Sequence, residues 1–153
     1  MHSDLFGELE YNYGWFGKTD LDWYGEKVSI DLFIDCDEDE DIDALQCESY
    51  IMFMKAWSRI QESLLDRVLS YYQDRRRELG YSKGGNEDYP EVTDTGGIKK
   101  MITPEALLLP YSDIYDGRGV GLAFGCDWNS EDGLGILFVN EEIKEIGYQD
   151  VVM

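Results

Sequence analysis

The sequence predicts an α+β fold in which a mostly antiparallel β-sheet of about six strands packs on one long central α-helix. Three observations support this prediction: extended patterns over residues 4–35, an uninterrupted helical period over about 43–79, and β-hairpin patterns over 107–149. The chain has 153 residues and is 43% apolar, so one domain spanning residues 1–153 can build its own core.

The first predicted element is an antiparallel β-meander over residues 4–35. Residues 12–14 and 24–26 contain the Asn and Gly residues typical of turns. Between residues 27 and 34, apolar and polar side chains alternate, as they do in a strand with one buried face. These segments therefore predict strands joined by short turns.

The second predicted element is a helix over about residues 43–79, a stretch that contains neither Gly nor Pro. Asp43 or Asp41 is the expected N-cap, and Gly80 is the expected C′ residue. One apolar stripe advances in steps of three and four residues, and we expect it to pack on the sheet. The stripe consists of Phe53, Trp57, Ile60, Leu64, Val68 and Tyr71.

The last part of the chain is predicted to be a loop followed by β-structure. Residues 80–100 are rich in Gly and predict a long loop, either mobile or functional. Thr103 and Pro104 suggest a capped helical turn over residues 103–106. Hairpins follow over residues 107–149, in which Gly121 and Gly125 are expected to let the helix approach the sheet closely.

The charge of the chain limits its partners. Thirteen Lys and Arg stand against 33 Asp and Glu, which gives a net charge of −20. Such a field repels nucleic acid and anionic membranes and attracts basic proteins, although solubility alone is an alternative explanation. No leader pattern and no apolar run of about 20 residues is found, so we expect a soluble, cytoplasmic protein without a membrane partner. Three cysteines without a CxxC pair indicate free thiols.

The residues required for most catalytic sites are missing from the sequence. His2 is the only histidine, which excludes a Ser-His-Asp or Cys-His arrangement and any site with several histidine ligands. No phosphate-binding glycine motif is present. We therefore expect no enzymatic activity, no catalytic residues and no cofactor. A hydrolase that uses carboxylates and a metal stays open as an alternative, because 33 acids place some pairs together by chance.

The first of two acidic clusters lies over residues 35–43, where seven of nine residues are Asp or Glu. Seven acids repel one another more than a helix start requires, so attraction of a basic partner competes with simple solvation as the explanation. A calcium-binding EF-hand is excluded, because Glu40 and Gln46 occupy positions that need Gly and Glu. The candidate partner-binding residues here are Asp37, Glu38, Asp39, Glu40 and Asp41.

The second acidic cluster lies in a predicted hairpin loop that ends at Gly133, for which we expect a positive φ. Its candidate partner-binding residues are Asp127, Trp128, Glu131 and Asp132. Trp128 belongs either to the core or, if exposed, to an anchor of a protein interface. A calcium- or small-ligand-binding module centred on residues 127–133 is the alternative function for this loop.

Parts of the chain resemble a known family. Residues 121–128, 131–138 and 145–150 contain an acidic-aromatic turn followed by Gly-Leu-Gly and a terminal Ile-Gly-x-x-Asp. These motifs, with residues 6–9 and 15–23, resemble a bacterial family of small α+β domains of unknown function. Its members are often proposed to be immunity proteins of polymorphic or contact-dependent toxin systems. The resemblance implies a protein that binds a cognate toxin domain and carries no catalytic residues.

Charge and resemblance lead to the same expected function. An acidic immunity protein would bind and neutralise a cognate toxin, a basic nuclease in the simplest case, by blocking its active site or substrate path. The expected partner is therefore a basic toxin domain rather than nucleic acid or membrane.

Overall fold

A seven-stranded sheet forms the frame of the molecule, and its strands lie side by side in chain order. The structure, a computed structural model, describes residues 1–81 and 86–153. The strands of this sheet are β3 (Glu10–Tyr11), β4 (Trp15–Trp23), β5 (Glu26–Ile34), β6 (Ile102–Leu109), β7 (Gly119–Cys126), β8 (Leu134–Val139) and β9 (Glu142–Gly147). A separate two-stranded ribbon pairs β1 (His2–Ser3) with β2 (Gly7–Glu8).

A single long helix, α1 (Ala44–Glu78), connects the two halves of the sheet. It links β5 to β6, which form the parallel pair of this sheet, and every other neighbouring pair is antiparallel. The α+β prediction is therefore confirmed, with seven strands instead of about six. In the described residues no helix is both long and apolar enough to cross a bilayer.

The core lies between α1 and one face of the sheet. Phe53 is fully buried, and its ring lies 5.0 Å from that of Phe138 on β8. The predicted stripe is buried as far as Val68, but Tyr71 is only half-buried and Tyr72 is the fully buried residue. At the C-terminal end of α1, Gly80 follows the C-cap Leu79 as the predicted C′ residue and has a positive φ of 86°.

Two predictions of local secondary structure differ from the structure. Residues 103–106 are part of β6 instead of a helical turn. The strand tolerates Pro104 because this residue lies at a register shift and outside the segment that pairs with β5. The predicted loop 80–100 contains a short helix, α2 (Thr95–Lys99), because the Asp94 side chain accepts a hydrogen bond from the amide of Gly97. Residues 82–85 of that predicted loop lie outside the described residues.

The sheet face opposite α1, the outer face, is partly covered by the C-terminal tail. A side chain at Gly121 would collide with Val152, and one at Gly135 would collide with the backbone of Tyr148. A side chain at Gly125 would lie against the Glu105 carboxylate, also away from α1. Gly121 and Gly125 were predicted to let the helix approach the sheet closely, and this prediction was therefore wrong.

Candidate functional site

One end of the sheet contains the first acidic cluster, and we call it the acidic end. It consists of the turn 12–14, the acidic loop 35–43, the loop 110–118 and the turn 140–141. Strand register brings them together, since Trp15 pairs with Ile34 and the amide of Asp35 donates to the carbonyl of Leu109 over 2.9 Å. The start of β7 lies at the same end, because Gly119 pairs with Val139.

The acidic loop is held in place by a capping box at the start of α1. The Asp43 carboxylate accepts from the amide of Leu45 at 2.7 Å, while the Gln46 side chain accepts from the amide of Asp43 at 3.2 Å. The buried Gln46 amide also donates to the carbonyls of Asp35 and Pro110, at 2.7 and 2.9 Å. One glutamine therefore ties the loop, the helix and the end of β6 together.

Exposed aromatic and aliphatic side chains lie at the same end of the sheet as these acids. Tyr13 is 91% exposed at the tip of its turn, and Ile114 is 56% exposed in the loop 110–118. The Tyr111 hydroxyl donates to Asp37 over 3.0 Å, yet 40% of that residue is exposed. Large apolar groups that face solvent next to fixed charges are the usual components of a protein-binding surface.

The electrostatics of the acidic end follow from its hydrogen bonds and burial. Hydrogen bonding to the Asp37 carboxylate raises the pKa of Tyr111 to about 12. A hydrogen bond from Ser112, followed by that from Leu45, lowers the pKa of Asp43. Burial raises the pKa of Asp35. The acids at residues 37–41 are all exposed to solvent, so their negative field is directed outwards.

Positive charge at the acidic end is neutralised locally. Arg118 makes a bidentate ion pair with Glu141, with both nitrogen–oxygen distances at 2.8 Å. Glu141 is only 9% exposed and adopts a positive φ of 64° in the turn after β8. This pair removes one cation from the surface that a basic partner would meet.

A shallow depression of about 340 Å³ lies within the acidic end, lined by acids that include Asp35, Asp41 and Asp113. The carboxylate–metal hydrolase alternative requires converging acids in such a concavity. Within residues 1–81 and 86–153, however, no three or more His, Cys, Asp or Glu side chains are grouped so that they could hold a metal ion.

The second acidic cluster forms a tightly bonded turn, the distal turn, over residues 127–133. Gly133 has the predicted positive φ of 63°, and its amide donates to the carbonyl of Asn129 at 2.9 Å. The Asn129 side chain accepts from the amide of Asp132 and donates to its carboxylate, both at 3.1 Å. The amide of Asp127 donates to the carbonyl of Met101 over 2.9 Å. The carboxylates of Asp127, Glu131 and Asp132 belong to exposed residues.

Trp128 belongs to the core, which was one of its two predicted roles. It is 5% exposed, and its ring lies 4.7 Å from that of Tyr72 on α1. A partner cannot reach this indole on the folded surface. The distal turn therefore presents carboxylates without an exposed aromatic anchor.

The two acidic clusters lie at opposite ends of the sheet. β7 begins at the acidic end and finishes at Cys126, immediately before the distal turn. Its eight residues correspond to about 25 Å of extended chain. A partner that bound both clusters at once would have to extend along the whole sheet. The structure therefore does not bring the predicted partner-binding residues together.

Several residues of the acidic end were not identified from the sequence. The spacing of Asp43 and Gln46 is a capping-box signal that could have shown how the loop is anchored. Tyr13, Tyr111 and Ile114 carry no such signal, because their proximity to the acids depends on the pairing of β4, β5 and β6.

Comparison with known families gives a match over nearly the whole chain. A family model described as a domain of unknown function (DUF6985) matches residues 5–153. Comparison with curated proteins and with solved structures finds no match. Nearly the whole chain is covered, and the description confirms the resemblance to a domain family of unknown function without indicating a toxin system. The chain belongs to the DUF6985 family of domains of unknown function.

Proposed function

We propose that this protein is an immunity protein that binds a basic toxin domain through its acidic end. The observation that carries the proposal is that Tyr13, Tyr111 and Ile114 are exposed at the same end of the sheet as the carboxylates of residues 37–41, with Tyr111 bonded to Asp37. Charged groups around apolar anchors give both steering and contact energy in protein interfaces.

The overall charge supports capture of a basic protein. A net charge of −20 attracts cationic surfaces over long distances, and electrostatic steering raises association rates by roughly 10–10³-fold. An inhibitor benefits from rapid association, because it must bind the toxin before the toxin acts. A nuclease fits as the target class, since nucleases carry the Lys and Arg residues that bind phosphate.

In this proposal the acidic end makes the contact with the toxin, and the buried Trp128 does not take part. The acids of the distal turn contribute to the long-range field, and we do not assign them a direct contact. Binding at the acidic end would neutralise a toxin by covering its phosphate-binding surface, which is the surface that a −20 protein attracts most strongly.

The first experiment is affinity capture of the tagged protein from its native host, at low and high salt, with identification by mass spectrometry. We expect one stoichiometric basic protein with a toxin domain, recovered best at low salt. Co-expression of that domain with the wild-type protein should then restore growth. Co-expression with a variant in which Asp37, Asp39 and Asp41 are changed to Lys should not.

Two outcomes would contradict the proposal. One is the recovery of no partner by a bait shown to be folded by circular dichroism. The other is full neutralisation by the charge-reversed variant, which would place the contact elsewhere on the molecule.

A further inference from the structure

A groove of about 450 Å³ lies on the part of the outer face that the C-terminal tail leaves open. Its volume falls within the range of about 300–1,000 Å³ typical of binding sites. Phe16 and Phe33 form one wall, with ring centroids 4.6 Å apart across the β4–β5 pair. Ala106 and Ala123 line it as well, and their small side chains leave the groove open.

Apolar surface in this groove remains exposed in the folded chain. Phe16 is 41% exposed, although Trp15, the preceding residue on β4, is only 9% exposed. Val152 and Met153 of the tail lie against one side of the groove, and Met153 is 83% exposed. An exposed aromatic wall beside an exposed, unbranched thioether chain is a surface that an apolar side chain of another molecule would cover favourably.

The charged residues of the groove are all acidic. Asp31 forms an ion pair with Lys18, but Asp35 and Glu105 form no ion pair with any residue in 1–81 or 86–153. Glu105 accepts a hydrogen bond from the Gln149 amide at 3.0 Å, which leaves its charge uncompensated. The groove therefore complements a cation next to an apolar group.

The groove is continuous with the acidic end. Asp35 lines both the groove and the depression between residues 35–43 and 110–113. A chain bound at the acidic end can consequently continue over Asp35 onto the outer face without leaving the protein surface.

We propose that the groove binds an extended segment of the partner protein, in which a large apolar side chain lies over Ala106 and Ala123 between two basic residues. One of these pairs with Asp35 and the other with Glu105, which lie toward opposite ends of the groove in the β5–β6 register. This inference rests on the proposed function and specifies the chemistry of the partner. The acidic end supplies attraction, and the groove recognises the order of apolar and basic residues in the segment.

The test uses the full-length protein and the labelled peptide Gly-Lys-Leu-Arg-Phe-Lys-Gly. Two matched peptides replace Leu and Phe with Ser, or Lys and Arg with Glu. We expect amide and methyl shifts on NMR titration at Ala106, Leu108, Ala123 and Met153. Affinity should fall at least about tenfold for each matched peptide, as the loss of an apolar anchor or of the charges requires.

Variants locate the binding in the groove. Ala106→Leu fills the space above β6 and should weaken peptide binding about tenfold. Ser70→Leu adds the same side chain at an exposed position on α1 and should have no effect. Thermal unfolding of both variants verifies the fold; if Ala106→Leu is unstable, Ala123→Val serves as the second groove variant.

The outcomes separate this inference from the proposed function. Absence of groove shifts at about 1 mM peptide, or equal affinity for the Ser-substituted peptide, overturns the groove inference. A third outcome is that Ala106→Leu binds the identified partner as the wild type does, while charge reversal at Asp37, Asp39 and Asp41 abolishes binding. This outcome excludes the groove as a contact and keeps the acidic end as the binding surface. Unchanged binding by the charge-reversed variant overturns the proposed function itself.

Discussion

The acidic end and the distal turn contain similar residue types but differ in what surrounds them. At the acidic end, carboxylates stand beside Tyr13 and Tyr111, which are 91% and 40% exposed. At the distal turn, the aromatic residue Trp128 points into the core and is 5% exposed. Both segments are acidic, yet only one presents apolar groups that could contribute contact energy to a complex.

The difference shows that the composition of an acidic segment does not define its function. A carboxylate in solvent contributes to the long-range field wherever it lies, and this field affects association rates. Short-range affinity requires apolar groups that become desolvated on binding. The fold determines which acidic segment has such groups nearby.

The largest expected effect concerns Trp128 in the distal turn. Trp128→Ala should lower the free energy of unfolding by about 3–5 kcal/mol, because the ring packs against Tyr72 and its removal leaves a cavity. Urea denaturation measures the change, and Tyr13→Ala, at a residue that is 91% exposed, is the control with little expected effect. A stable Trp128→Ala variant that binds its partner poorly would reverse the roles we assign to the two ends.

The next effect concerns the rate of association. Changing Asp37, Asp39 and Asp41 to Lys should slow binding of the partner by roughly 10–10³-fold at low salt and flatten its salt dependence. Changing Asp127, Glu131 and Asp132 to Lys alters the net charge equally at the opposite end, and we expect a much smaller effect. Stopped-flow kinetics at several salt concentrations would measure both. Equal slowing by the two variants would mean that only total charge matters.

Much of the fold was predictable from the sequence because its signals are local. The spacing of Phe53, Trp57 and Ile60 defines a helix face, and the absence of Gly and Pro from residues 43–79 allows one long helix. Pro104 misled the prediction, because a proline at a helix start and a proline at a β-bulge have the same local sequence signal. The difference depends on pairing with β5 and β7.

The candidate site was less predictable because it depends on strand order. The acids of residues 37–41 were identified, since a run of like charges is visible in any sequence. Tyr13 and Tyr111 are nearly 100 residues apart in the sequence. They lie at the same end of the sheet only because β6 pairs in parallel with β5. Trp128 was ambiguous, since burial of an indole depends on its contact with Tyr72 in a distant helix.

A smaller effect is expected from the exposed aromatic ring of Tyr13. Tyr13→Ala should accelerate dissociation of the partner by about tenfold, the scale of a typical interface anchor, without changing fold stability. Surface plasmon resonance would give the rate, and Tyr13→Phe separates the ring from the hydroxyl. If Tyr13→Ala dissociates at the wild-type rate, the acidic end steers the partner without contacting it at this turn.

The smallest effect concerns the pH dependence of stability at Asp35. Burial raises the pKa of this carboxyl from its ordinary value of 3.8, so the folded state binds its proton more tightly than the unfolded state does. The resulting contribution is favourable below pH 3.8 and is lost as the pH rises through the folded pKa. Asp35→Asn should therefore increase the free energy of unfolding relative to wild type at pH 7, and this gain should shrink at about pH 3.

Asp39→Asn is the matched control for Asp35→Asn, because it removes one charge from the same loop at an exposed position. Both variants reduce the repulsion among the acids of residues 35–43, so a gain of equal size in both would assign the effect to repulsion instead of burial. A larger gain for Asp35→Asn would show that this carboxylate is held at the surface of the groove at a cost to stability. A partner cation that pairs with Asp35 would then remove that cost, and partner affinity should rise with pH across the titration of this group.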